Sequence, residues 1–332
     1  MGRQSLTDPC DDLTEEEPER PIAGDASSVP QDQSVLRELR ARLGSRTYRL
    51  ETRHRLFLCI EGGGMRGVVS AGMALALEEA QAFDAFDGVF GASSGAFNAA
   101  YFLTKSVHRG INIYTRAATH FIQMGRALML RPLVDFQRLL SLVAEGPFSI
   151  PQAGFGEIRR RLRVVVTQVN RARPDCISNI TTRGQLVAAL EASSRMPGLA
   201  HLGGQGQLPE FVDGSVTDPF GVACACAQHP TLILVLASRS VSSYQRPSLL
   251  DYAVIQPALS RFSRELGREY LKRKRTVLQH LLSMLVESHV SCYVVQPPPH
   301  LITTIESRTA ALERAANCGH AAARSLLAHS GA

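Results

Sequence analysis

Leu56-Phe57-Leu58-Cys59-Ile60-Glu61-Gly62-Gly63-Gly64-Met65-Arg66-Gly67 runs from five apolar residues directly into a glycine-rich turn. An unbroken apolar run of that length predicts a strand buried on both faces, and the glycines permit a tight turn into a helix whose first amides can meet an anion. A second stretch of the same design follows one helix-length later. There Val89-Phe90 leads into Gly91-Ala92-Ser93-Ser94-Gly95 and an alanine-rich helix extending to Leu103. Further strands over 163–169 and 231–237, with a helix over 184–194 between them, continue the alternation. The fold class expected from this order is α/β, with a mostly parallel central sheet carrying helices on both faces.

The second turn is the more chemical of the two. Ser93 falls where strand gives way to helix, in the pattern G-x-S-x-G; Gly91 and Gly95 relieve the crowding that so sharp a corner imposes, and the hydroxyl is lifted out of the sheet. The same pattern also describes an ordinary tight turn with a solvated serine. The first turn has a rival reading too, because Gly62, Gly64 and Gly67 satisfy the dinucleotide fingerprint G-x-G-x-x-G. That fold wants an acidic residue at the end of its second strand to hold a ribose. Asp84 and Asp87 instead precede Val89, and the strand ends in Gly91-Ala92-Ser93. Arg66, among the glycines, suits an oxyanion or a lipid phosphate as well as a cofactor pyrophosphate. A glycine-rich anion site beside a raised serine points to acyl transfer. The serine then needs a base, and Asp213 in Phe211-Val212-Asp213-Gly214-Ser215 is a candidate, although Asp-Gly turns are commonly structural. His229 would complete the chain order Ser, Asp, His, but no local motif marks it among ten histidines. The residues alone leave open a Ser-Asp dyad or a triad with an unplaced histidine.

Taken together, Glu61 to Gly67, Gly91 to Gly95 and Asp213-Gly214-Ser215 resemble the patatin-like phospholipase family in order and approximate separation, over roughly residues 54 to 240. Ala192-Ser193-Ser194-Arg195-Met196-Pro197 is similar to the segment that precedes the aspartate strand in that family. The resemblance implies a three-layer α/β/α fold with Ser93 as nucleophile and Asp213 as base. It further implies an oxyanion hole from Gly62, Gly63, Gly64 and Arg66, a nucleophile elbow flanked by Gly91 and Gly95, and chemistry that needs no histidine, metal or other cofactor. The implied substrates are phospholipids, lysophospholipids or acylglycerols, met at a membrane or micelle surface. Two positions depart from the family pattern. Glu61 stands where the family usually has Asp and is expected behind the hole, and Ser215 stands where Gly or Ala is common. Asp218, before Pro219, reads as turn initiation. A nucleotide- or dinucleotide-binding enzyme using Gly62 to Gly67, and a catalytically silent lipid-binding protein, are the alternatives.

Composition bounds the rest. With 332 residues and 45% apolar content the chain can bury one large core. The expected organisation is a disordered acidic tail and short leading helix over 1–45, an acyl hydrolase domain over 46–297, and a C-terminal helical extension over 298–332. Seven irregularly spaced cysteines fit a reducing compartment, and the first residues lack a secretory signal, so the expected location is cytoplasmic with peripheral contact at a membrane. No apolar stretch approaches the roughly 20 residues that span a bilayer. A net charge of +6, without a nucleic-acid-binding motif, argues against nucleic acid as partner. A helical region is expected over 111–143, broken at Arg131-Pro132. Its stripe of Phe121, Met124, Leu128, Val134, Leu139 and Leu142 either packs on the core or lines an acyl channel. The segment 261–275 carries seven Arg and Lys residues. It reads as a solvated basic helix face or as a patch for anionic lipid headgroups.

Overall fold

The structure is a computed structural model that describes residues 29–45, 52–117, 135–199, 210–244, 247–299 and 301–328. The acidic tail and the stripe residues Phe121, Met124, Leu128 and Val134 lie outside those residues.

The run Leu56–Ile60 is strand β1, buried at every position, and it occupies the middle of the sheet as an uninterrupted apolar sequence should. On one side β1 pairs in parallel with β2 (Gly88–Ala92), which pairs in parallel with β3 (Leu162–Gln168). On the other side β1 pairs in parallel with β6 (Leu232–Leu236), and β6 with β7 (Ser291–Val295). Two short strands, β4 (Arg173–Ile177) and β5 (Phe211–Asp213), both run antiparallel to β3. The chain is thus α/β with a seven-stranded, mostly parallel sheet. The sequence reading contains neither β4 nor β7. Arg-Pro-Asp-Cys-Ile is polar and proline-bearing, as befits the edge position of β4, and such a strand has no apolar alternation to announce it.

Helices cover both faces. Gly67–Glu79 is apolar nearly all round, with Val68, Val69, Met73 and Leu77 buried. A helix of that kind needs cover on its outer side too. Thr309–Ala328 supplies it, bringing Ala316 and Gly319 against Gly72 and Val69. The leading helix Gln33–Gly44 starts at Asp32, whose carboxylate caps Ser34 N–H at 2.8 Å. It buries Val35, Leu36 and Leu39 in the same core as β1. Its Arg42 is buried, pairs with Glu38 and Asp87 at 2.8 Å each, and donates to the carbonyls of Ala85 and His54. Asp87 also accepts from Leu56 N–H at 2.9 Å, and Asp84 pairs with Arg161. Both acids weighed for a ribose therefore serve the start of the sheet.

Register decides where the chemistry sits. Ile60 lies beside Gly91 and Ala92 beside Val165, so the turns after β1 and β2 leave the sheet at the same edge. That edge is the carboxyl end of the parallel strands, where open α/β sheets form their clefts. β5 enters at the carboxyl end of β3 and pairs Asp213 with Val166, one residue beyond the Val165 that lies beside Ala92, so Asp213 stands level with Ser93.

The basic segment divides between two faces. Arg264–Arg275 is a helix with Leu266, Gly267 and Tyr270 buried. Arg264, Arg268, Lys272 and Arg275 are exposed, as a solvated face requires, whereas Arg273 and Lys274 turn inward and line the cleft.

Candidate functional site

Ser93 joins β2 to the helix Ser94–Leu103 with φ 53° and ψ −126°. A non-glycine residue holds such a conformation only when its surroundings over-determine it. Here Ser93 N–H donates to Ser193 Oγ at 2.9 Å, and the Ser193 hydroxyl donates to the Val165 carbonyl at 2.6 Å, tying the corner to β3. A Cβ on Gly95 would stand 2.1 Å from the Ile60 carbonyl oxygen, so only glycine lets the new helix start against the end of β1. Gly91 packs on the backbone of Gly95 within the same crossing.

The glycine loop lies against this corner. A Cβ on Gly62 would meet the Ala92 carbonyl oxygen at 2.4 Å and Ser93 Cβ at 2.9 Å. Three amides of the loop are committed: Gly62 donates to the Pro219 carbonyl (3.4 Å), Met65 to that of Thr304 (2.9 Å) and Arg66 to that of Gly63 (3.2 Å). Among the described residues, the amides of Gly63 and Gly64 meet no acceptor, and both residues line the cleft. Two unspent donors at the start of a helical turn can meet negative charge. Glu61 sits behind the loop, 1% exposed. Its carboxylate accepts from Ser238 N–H (2.6 Å), the Ser238 hydroxyl (2.9 Å) and the Tyr244 hydroxyl, and pairs with Arg239 at 3.4 Å. From the other side, the buried Asn98 amide donates to the Gly67 carbonyl at 2.8 Å.

Asp213 is 2% exposed. Its Oδ1 accepts from Ser215 N–H at 2.8 Å and from the Ser215 hydroxyl at 2.6 Å, and the nearby Ser93 side chain also favours the ionised carboxylate. Burial pushes its pKa up to about 6, against the pull of the Ser215 hydrogen bonds and of the Ser93 side chain. The third position of the Asp-Gly-Ser turn thus does more than alter loop shape: Ser215 holds the carboxylate and its charge. Replacing Ser215 by Ala removes one donor from the ionised form. The acidic limb of any activity that uses Asp213 as base is then expected to move upward by about one pH unit, as a pH profile of kcat/KM would record. Asp218 is equally buried, but it is occupied in capping the helix Val222–Cys226 through Cys224 N–H at 3.0 Å, in keeping with a turn-forming role.

Around these groups lies a cavity of about 650 Å³ that includes Ser93, Asp213 and the whole Gly62–Arg66 loop in its wall. Phe97, Tyr101, Ile113, Tyr114, Phe136 and Leu139 make one side of it apolar, and Leu139 belongs to the expected stripe. Arg239, Asp251, Tyr270 and Lys274 add a polar group to the lining. His229 is exposed on the loop after Val222–Cys226 and does not line the cavity; His280 does, with its ring 3.0 Å from Arg273 Nη1. Burial and the neighbouring Arg273 push the His280 pKa down. Sequence reasoning missed Ser193, Asn98, Arg239, Tyr270 and Lys274 as parts of the site. Only Ser193 had a local signal, its place in the segment before the aspartate strand. Among the described residues, no cluster of three or more His, Cys, Asp and Glu side chains offers a metal-ion site, and no helix is long and apolar enough to cross a membrane.

The geometry can be set beside known proteins. No curated protein matches the chain. Among solved structures, the crystal structure of VipD from Legionella pneumophila aligns with 14% identity and a TM-score of 0.40, covering 83% of this chain and 67% of that one. The profile of the patatin-like phospholipase family matches residues 58–225, just over half of the chain, from within β1 to the helix that follows Asp213. The chain belongs to the patatin-like phospholipase family, a family of lipid acyl hydrolases.

Proposed function

We propose that the protein is a serine acyl hydrolase that cleaves ester bonds of phospholipids, lysophospholipids or acylglycerols with Ser93 and Asp213. The observation that carries this reading is a strained serine that shares the wall of one cavity with a buried carboxylate of pKa about 6, whose ionised form the serine side chain favours. A carboxylate held in water at its ordinary pKa is a weak base toward a hydroxyl. Desolvation raises its proton affinity, and near pH 7 most copies are still ionised and ready. In this mechanism Ser93 Oγ attacks the ester carbonyl carbon as its proton passes to Asp213. The oxyanion is met by the amides of Gly63 and Gly64, with Arg66 adding positive potential; one such donor is typically worth about 100- to 1000-fold in turnover. The tetrahedral intermediate collapses with the Asp213 proton delivered to the departing alcohol oxygen. Water, deprotonated by Asp213, then releases the fatty acid from Ser93. The Ser93 amide is engaged by Ser193 and takes no part in the hole.

The apolar side of the cavity suits an acyl chain. Access from a lipid surface fits Leu249, 87% exposed next to the cavity-lining Ser248 and Leu250, and the exposed basic face of Arg264–Arg275. Hydrolysis profiling on a panel of phospholipids, lysophospholipids, mono- and diacylglycerols, with wild type beside Asp213→Asn, tests the reading. Fatty-acid release from at least one class by wild type, and its loss in the variant, is the expected result. Release from none, by folded protein presented with vesicles and micelles, refutes it. Family membership favours this reading over the dinucleotide alternative, as does the commitment of Asp84 and Asp87 to structural ion pairs.

A further inference from the structure

Cys176 and Cys224 meet where the edge of the sheet touches the helix that follows Asp213. Cys176 lies on β4, opposite Val165 of β3, and is half-buried. Cys224 is buried on the helix Val222–Cys226. Its Sγ stands 3.3 Å from the Asp175 carbonyl oxygen, and that carbonyl is bonded directly to the Cys176 amide. Gln228, just beyond the helix, brings its Nε2 to 3.8 Å from Cys176 Sγ. One short helix and its exit therefore hold Cys176 from two sides. Cys224 belongs to the apolar cluster of Phe90, Val165 and Val222, and Cys176 packs against it.

The two thiols are made unequal by their surroundings. The Cys224 side chain, Arg163 and Gln228 favour the Cys176 thiolate and hold its pKa below the ordinary thiol value, against burial and the Asp175 charge. Cys224 is pushed up by Cys176 and by burial. Burial also pushes up Cys59, Cys226 and Cys292. A partly exposed thiolate beside a buried thiol is the arrangement of an attacking and a resolving cysteine. The pair also touches the supports of the site. Val165, across from Cys176, gives its carbonyl to the Ser193 hydroxyl, whose oxygen fixes the Ser93 amide. On the helix side, Asp218 caps Cys224 N–H, and the adjoining Pro219 carbonyl accepts the Gly62 amide.

We propose that Cys176 and Cys224 are a peroxide-reactive thiol pair whose disulfide slows the neighbouring acyl-transfer site. The Cys176 thiolate attacks one oxygen of hydrogen peroxide; the O–O bond breaks, hydroxide departs, and Cys176 becomes a sulfenic acid. Cys224 then attacks that sulfur, forming the S–S bond and expelling hydroxide, which takes up the Cys224 proton as water. Two electrons pass from the pair of sulfurs to the peroxide, and a dithiol such as dithiothreitol returns them. Closure draws the sulfur atoms from non-bonded contact to about 2 Å, which pulls the helix toward β4 and strains the Asp218-Pro219 segment that anchors the glycine loop. The thiol pairing stands independently of the hydrolase reading; only its effect on turnover rests on that reading.

Reduced full-length protein treated with hydrogen peroxide, with and without dimedone, tests the pair by mass spectrometric mapping of its peptides. The expected product is a Cys176–Cys224 disulfide that dithiothreitol reopens. Cys224→Ala is expected to form no disulfide and to carry the dimedone adduct at Cys176, whereas Cys176→Ser gives neither product. Cys224→Ala keeps the amide that Asp218 caps, and Cys224→Ser repeats the test should the alanine variant fail to fold. Fatty-acid release by oxidised wild type is expected to fall about tenfold or more, since small displacements of a catalytic group cost rate steeply, and to recover with dithiothreitol. Cys176→Ser keeps its rate under peroxide. Absence of the Cys176–Cys224 disulfide overturns the proposal, as does pairing of either cysteine with another, a disulfide that leaves release unchanged, or an equal loss of release in Cys176→Ser. If the reduced protein cleaves no ester while the disulfide forms, the hydrolase reading fails and the thiol pair stands.

Discussion

Ser93→Ala is expected to lower ester hydrolysis by about four to six orders of magnitude while leaving the protein folded. Removing a serine nucleophile from a hydrolase costs on that scale, and the residue that remains comes from the oxyanion donors and substrate binding. The structural reason for intact folding is local. The bond that fixes the corner runs from Ser93 N–H to Ser193 Oγ, and alanine retains the amide. Alanine also tolerates φ 53° no worse than serine does, because both carry a Cβ at the same place. Thermal melts should superimpose to within a few degrees, and fatty-acid release should fall to the background of buffer. Activity within tenfold of wild type would remove Ser93 from the mechanism.

Asp213→Asn is expected to move activity and stability in opposite directions. Loss of the base should reduce turnover by about 100- to 10,000-fold. Stability follows from proton linkage. The folded pKa of about 6 lies above the ordinary carboxylate value of 3.8, so between those pH values the native state holds a proton that the unfolded chain has lost. Stability therefore falls as pH rises through that window, and above pH 6 the folded state carries the full penalty, up to about 3 kcal/mol for two pKa units. Asparagine carries no charge, and its carbonyl oxygen still accepts from Ser215. The variant should unfold at higher urea concentration than wild type at pH 7.5, with the difference vanishing near pH 4. Denaturant melts at the two pH values check the sign. A variant less stable than wild type at pH 7.5 would mean that the Asp213 carboxylate is held by stronger partners than Ser215 and Ser93.

How far the primary structure discloses this site depends on the range of the forces involved. β1 and β2 are legible because apolar runs that stop at glycine leave little but a buried strand and a turn, and Leu56–Ile60 and Gly88–Ala92 are such strands. The loop and the corner are legible together because consecutive parallel strands place their turns at one edge. Asp213 is different. An Asp-Gly turn alone is ordinary, and the family resemblance was what singled it out; its position at the cleft comes from β5 pairing antiparallel to β3, which no local pattern predicts. Asn98, Arg239 and Lys274 are unreadable for the same reason, since Asn98 and Arg239 act on the distant Gly67 carbonyl and Glu61 and Lys274 acts through a helix face. The basic run shows the limit clearly. Seven like charges in sequence read as one solvated face or one headgroup patch, and only the burial of Leu266 and Tyr270 turns Arg273 and Lys274 toward the cavity.

The account depends on Ser93 being made nucleophilic by Asp213, and the rate of Ser93 modification by a fluorophosphonate probe as a function of pH measures that directly. The prediction is modification at Ser93 alone, accelerating through an apparent pKa of about 6 to a plateau, and slowed at least about 100-fold at every pH above 6 in Asp213→Asn. Modification elsewhere in the chain, or a Ser93 rate indifferent both to pH and to the Asp213→Asn change, would contradict it.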